Sequence, residues 1–166
     1  MQINEDMLHL AGFALAHAAW SVSDLTSGEL LCPLAITESS DERKLLRFEA
    51  ETQEQAIGDA INALEKEKTK DTTWAFVRDG LVDTAYGKSD VLVVSTWSKG
   101  MLEPLYFNQL YIPSSTANAF QILGPIVLLN SPEKNSSAII SEIRKGIFDH
   151  PKVALLWANW EIKYSS

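Results

Sequence analysis

Three histidines, one cysteine and a few closely spaced carboxylates are the residues of this chain whose chemistry suits catalysis or metal binding. His9 and His17 lie eight positions apart. On a helix that separation turns one side chain about 80° from the other, so they do not share a face as an i, i+4 metal pair would. His150 stands far along the chain and no His-x-x-x-His occurs, so the reading is no metal and no cofactor. Cys32 belongs to a stretch in which Leu30, Cys32, Leu34 and Ile36 alternate. That register turns the thiol to the core, where it behaves as a small apolar group. A nucleophilic role needs a base beside it. His17 is the polar candidate, in a pocket between the first helix and the sheet.

Glu49 and Glu51 sit two apart on a strand-like run, which points both carboxylates to one face about 7 Å apart. Carboxylates at such separations serve glycoside hydrolysis. Arg47 continues the same row, however, and mixed charge ladders are ordinary on a half-wet sheet. Gly87-Lys88-Ser89 looks like the end of a phosphate loop, but position 82 is Val where the motif needs Gly. Glu161-x-Lys163 with Asp149 upstream has the spacing of metal-dependent nucleases, yet the chain lacks the basic groove that a nucleic-acid backbone requires. The aromatic residues Trp97, Tyr106, Phe107, Tyr111, Trp157, Trp160 and Tyr164 have no interleaved cations for base stacking. Core packing is their simplest use, and a protein interface the alternative.

The elements that must position these residues are legible in part. Asn4 caps a helix over residues 5–26, with Glu5 and Asp6 at its positive end and Ser27-Gly28 as a stop. This helix is apolar over much of its girth, so it packs on more than one side, within the fold or against a second copy. Leu30–Glu38 and Lys44–Glu51 read as strands, Pro33 placing the first at an edge or starting it late. Thr52-Gln53-Glu54-Gln55 is a capping box opening a helix over 53–68, with Ala56, Ile57, Ala60, Ile61 and Leu64 on one stripe, of which Ile57, Ile61 and Leu64 pack toward Leu46 and Phe48. Residues 72–129 read as a strand meander, with a hairpin at Asp79-Gly80 and a bulge or bend at Gly124-Pro125. A helix follows through about 148. The tail is open between a short helix after Pro151 and a strand through Trp160, Ile162 and Tyr164. This order predicts an α+β fold in one globular domain over 1–166: an antiparallel sheet of about six to eight strands packed by two or three helices.

Charge is the most unevenly distributed property. Residues 1–71 carry 14 acidic against 6 basic side chains, a net of −8, while residues 72–166 carry 8 of each. That asymmetry argues against a nucleic-acid partner. It points instead to a non-enzymatic, protein-binding domain that engages a basic partner through Glu49, Glu51, Glu54 and Glu65. In size and charge the chain resembles small acidic proteins that neutralise toxins, which implies an immunity-type inhibitor. The alternatives are a small-molecule binder or hydrolase using Cys32 and His17, and a surface whose acidity only solubilises. The acidic N-terminus and interrupted apolar stretch suggest no membrane and a cytoplasmic protein. The apolar first helix and Trp-rich tail suggest a homodimer.

Overall fold

The computed structural model describes residues 3–25, 29–40, 42–68, 70–131 and 136–161. The elements in chain order are α1 (Glu5–Ser23), β1 (Leu34–Ser39), β2 (Glu42–Arg47), α2 (Gln53–Glu67), β3 (Thr73–Thr84), β4 (Gly87–Trp97), β5 (Leu105–Ile112), β6 (Gln121–Leu128), α3 (Ser136–Phe148) and α4 (Trp157–Trp160). The strands form one antiparallel six-stranded sheet in the order β2-β1-β3-β4-β5-β6. With its four helices this is the α+β fold that the order of elements predicts. Among the described residues no helix is long and apolar enough to cross a membrane.

Both predicted helix starts are present. The Asn4 side chain accepts from the Met7 N–H at 2.9 Å, and Thr52 accepts from the Gln55 N–H at 3.1 Å, each satisfying a free amide of the first turn. The Ser27-Gly28 stop lies outside the described residues.

α1 lies on the sheet face that carries Leu34, Ile36, Ala75, Val77 and Val94, crossing β1, β3 and β4. Alanines on the helix and on β3 keep the two layers close. The buried Thr96 hydroxyl, facing the Met7 and Trp74 carbonyls at 3.2 and 2.9 Å, ties them together. α3 packs along α1 through two glycines. A methyl on Gly12 would fall 2.9 Å from the Ile147 backbone nitrogen and closer still to the Ile143 carbonyl oxygen. One on Gly146 would fall 2.8 Å from His9 Cα and closer to its carbonyl. The crossing is therefore backbone against backbone, with His9 Nε2 meeting Glu142 Oε2 at 2.7 Å beside it. Sheet and α3 together explain why α1 is apolar around most of its girth. Those surfaces are covered by this chain itself rather than by a second copy.

α2 covers the opposite face, where Ala35, Trp74, Phe76 and Trp97 lie. Leu46 and Phe48 share this face, as expected, and Phe48 meets Phe76 edge-on at 6.2 Å. The buried stripe of α2 is Ala56, Ala60 and Leu64, and Ile61 remains 52% exposed at the helix edge. This corrects the reading that Ile61 is buried beneath the helix: its alanine neighbours make the contact.

The strands differ from the sequence reading at three places. β3 runs straight through Asp79-Gly80, and its hairpin is at Ala85-Tyr86, with Gly87 at φ +111° opening β4. Asp-Gly has local turn propensity, but the Asp79 carboxylate is captured by distant groups. It accepts from Tyr111 O–H at 2.6 Å and from the Leu31 N–H at 3.1 Å, and it is 5% exposed. β1 begins at Leu34 and β2 ends at Arg47, so Cys32, Glu49 and Glu51 lie outside the strands. The bulge at Gly124-Pro125 is present. Asn108 pairs with Val127 but Leu110 pairs with Leu123, and the buried Gln109 amide donates to the Leu110, Leu123 and Gly124 carbonyls left over. In the tail Trp157–Trp160 is a helical turn and Glu161 bridges to Ile122. Ile162 and Tyr164 lie outside the described residues.

Candidate functional site

The acidic residues come first, because they carry the charge. Glu49 and Glu51 stand in the connection after β2 rather than on a ladder, so the paired-carboxylate arrangement of a glycosidase is not built by that strand. Both are exposed. Glu54 occupies the first turn of α2, where free amides favour a carboxylate, and Asp59 follows on its outer surface. None of these four meets a cation within ion-pair distance among the described residues. Glu65 differs: the Lys68 ammonium donates to it at 2.9 Å, as Lys70 does to Glu67 at 3.2 Å. Asp59 therefore takes the place in the unpaired set that sequence gives to Glu65. On neighbouring β2, Arg43 is engaged by Glu38, and Lys44 approaches Glu42 at 3.9 Å.

Cys32 and His17 do not meet. The thiol sulfur lies 3.6 Å from the Phe48 carbonyl oxygen and 3.9 Å from that of Pro33, in a cleft lined by Ser21, Leu34 and Arg47. His17 lines a different cavity. No base is brought to the sulfur by these contacts, so the proposed dyad is not assembled. Cys32 is half-buried rather than in the core, because the strand that would have turned it inward starts two residues later. Cys32→Ala is expected to cost less than about 1 kcal/mol in denaturant unfolding. Labelling of the native thiol faster than a free cysteine peptide would contradict this inert role.

His17 instead pairs with His150. His17 Nδ1 and His150 Nε2 are 3.1 Å apart, joining α1 to the turn after α3 across 133 positions. Hydrogen-bond chemistry fixes the protons. The Lys152 backbone N–H donates to His150 Nδ1 at 3.1 Å, so neutral His150 carries its proton on Nε2. That proton goes to His17 Nδ1, and neutral His17 keeps its own on Nε2. His17 Nε2 is buried with no partner among the described residues. Burial and then the charge of Arg47 hold His17 below the ordinary histidine range. Burial, followed by His17, brings His150 down to about 4. The geometry supplies a further reason: a proton added to either ring must break the His17–His150 bond or the bond from Lys152.

These rings belong to an aromatic cluster. Phe13 lies 4.7 Å from His150 and Trp20 5.7 Å from His17, centroid to centroid. The guanidinium of Arg43 sits 4.8 Å above the Phe13 ring. A cavity of about 390 Å³ opens over the cluster, closed by Ile36, Leu45 and Pro151, with Lys44 and Lys152 on its rim. Sequence reasoning missed His150, Arg43, Lys44 and Lys152, which come from two segments, β2 and the turn after α3.

Two other features are structural or smaller. Burial, followed by the neighbouring Asp79 carboxylate, pushes Tyr111 well above its ordinary range and Asp90 upward. This buried cluster fastens the segment before β1 to β3 and β5. Beneath the edge of α2 a narrower groove of about 180 Å³ runs over Trp74, Phe76 and Tyr106. Arg78 closes one end of it, lying back across Gly80, where a Cβ would come within 3.2 Å of the guanidinium. His9, the third histidine, is spent on Glu142. Lys145 and His9 together hold that carboxyl below its usual range. Of the acid–acid–lysine spacing, Asp149 lies exposed just after α3, Glu161 pairs with Arg144 at 2.9 Å, and Lys163 is outside the described residues. Of the aromatic residues, Phe107, Tyr111, Trp97 and Trp157 are core, while Tyr106 is 38% exposed.

The fold and these cavities define an α+β protein with one antiparallel sheet between an α1/α3 layer and α2. Comparison with known proteins finds no family model, no curated protein and no solved structure that matches the chain.

Proposed function

We propose that this protein is a non-enzymatic binding protein that docks a basic protein partner on the β2–α2 connection and the outer surface of α2, as an immunity-type inhibitor would. The observation that carries the reading is the uncompensated charge of Glu49, Glu51, Glu54 and Asp59. They fall within one short segment, all exposed, while Arg43, Lys44, Lys68 and Lys70 are held by other carboxylates. Gathered like charge raises self-repulsion that interspersed lysines would relieve. A docking surface gains from it, because long-range attraction speeds encounter with a cationic partner.

Charge reversal tests this. Glu49→Lys, Glu51→Lys and Glu54→Lys together leave the fold intact, since all three side chains are exposed. They are expected to slow association with a basic partner captured from the source cells by tenfold or more. The control reverses Asp83 and Asp149, exposed carboxylates elsewhere on the molecule, and changes little. Asp79 cannot serve as a control because it is buried in the Tyr111 cluster. Wild-type capture should also weaken steeply as added salt shortens the Debye length below about 10 Å. Equal capture rates by wild type, the triple variant and the control at low salt would leave solubilisation as the better account of the acidity.

A further inference from the structure

We infer that the cavity over His17 and His150 is a binding site for a small aromatic monocarboxylate, its ring on the aromatic cluster and its charge toward Arg43 and Lys152. Three independent observations converge on that chemistry.

The first is charge. In a chain of net −8, no Asp or Glu is among the described residues lining this cavity, whereas Arg43, Lys44 and Lys152 are, although the strand register turns the Lys44 side chain to the opposite face with Leu46. Glu38 and Glu42 hold Arg43 and Lys44 from the strands beside it. Lys152, on the turn after α3, has no carboxylate within ion-pair distance among the described residues. Arg47, on β2, adds its field at His17. An anion entering here meets attraction from β2 on one side and from the turn on the other, opposite to the field over α2.

The second is the hydrogen-bond chain. Lys152 N–H to His150, and His150 to His17, run in one direction and end on the His17 Nε2–H, buried without an acceptor. A buried donor left unmet is costly. A ligand carboxylate that reaches this N–H supplies the missing acceptor. Because the neutral pair already offers a donor, binding does not require either imidazole to be protonated.

The third is the shape of the surface. Phe13 and Trp20 flank the two imidazoles, and Leu45 and Pro151 close the sides. Ligand sites are mostly apolar with a few placed polar groups, and usually span about 300–1,000 Å³. At about 390 Å³ this cavity falls in that range, as do three others on the molecule, so its aromatic lining rather than its size sets it apart. A flat apolar ring with one negative group fits both the walls and the rim. A bare oxyanion would use only the rim.

The probe is benzoate, followed through the imidazole signals of full-length protein in ¹H–¹⁵N spectra at pH 7. Saturable shifts of the His17 and His150 nitrogens at millimolar benzoate or below are expected, with His9 unmoved. Benzamide, which keeps the ring and removes the charge, and inorganic phosphate, which keeps charge and removes the ring, should each bind at least tenfold more weakly. Lys152→Glu reverses an exposed side chain and keeps the backbone N–H that His150 uses. It should weaken benzoate tenfold or more while leaving the His17–His150 signals of the free protein in place. Absence of saturable shifts with benzoate would overturn the inference. So would phosphate or benzamide binding as tightly as benzoate, or unchanged benzoate affinity in Lys152→Glu. None of these results bears on the acidic docking surface, which lies on other residues.

Discussion

Gly12→Ala and Gly146→Ala are each expected to destabilise the protein by about 3 kcal/mol or more, a fall of roughly 10 °C in Tm for a chain of this size. In each case the new methyl meets backbone atoms of the facing helix, which cannot rotate away as a side chain could. α1 and α3 must then separate, and the buried row Ile139, Ile143 and Ile147 loses its packing on α1. Intrinsic helix propensity works the other way, favouring Ala over Gly by about 1 kcal/mol. Gly58 isolates that opposing effect. It lies on the exposed side of α2, with nothing within 4 Å of the position its Cβ would take. Gly58→Ala should therefore stabilise by up to about 1 kcal/mol. Opposite signs for one chemical substitution, read in urea unfolding, test the crossing directly. A neutral Gly146→Ala would mean that the helices are not in backbone contact.

These glycines also show what the sequence contained and what it hid. A Gly in a helix interior is costly, but Gly58 sits in one with nothing near it. The sequence alone therefore does not mark Gly12 and Gly146 as points of close approach, and their crossing was not legible. The caps at Asn4 and Thr52 were fully legible, because a capping hydrogen bond closes within three residues. The Asp79-Gly80 hairpin was misread for the opposite reason. Its local propensity was outweighed by Leu31 and Tyr111, which are 48 and 32 positions away. Alternation likewise overran the true ends of β1 and β2, since apolar residues continue past the last ladder hydrogen bond.

The candidate sites divide in the same way. The acidic segment was legible because charge is a local property of the chain, although the local pairing of Glu65 with Lys68, one turn on, was overlooked. The His17–His150 cavity was not legible. Its parts come from α1, β2 and the turn after α3, and only the fold of the sheet brings them together. Reading His17 with Cys32 followed proximity in sequence, whereas the spatial partner of His17 is 133 positions away.

That partnership has a consequence for acid stability. Between pH 6.5 and pH 4 the protein is expected to lose about 3 kcal/mol of stability through His150, at roughly 1.4 kcal/mol per pKa unit. Burial and the neighbouring His17 bring the folded-state value down to about 4, whereas an unfolded histidine titrates near 6.5. Across that window the unfolded chain takes up a proton that the folded chain refuses, so stability rises with pH and is complete above the unfolded value. As pH falls through the window the contribution is lost. His17, also held low, acts in the same direction. The cause is specific, because His150 is 3% exposed and both of its nitrogens are committed, one to the Lys152 N–H and one to His17. His150→Gln should start less stable at pH 7 and show a flatter dependence down to pH 4, the carboxylates contributing equally to both proteins. Chemical denaturation at a series of pH values measures the difference in slope, and the His150 imidazole signal in the folded protein measures its cause. A midpoint near 6.5 for that signal would mean that protonating His150, and breaking the bond this displaces, costs the fold nothing, and the coupling of this pair to the fold would be lost with it.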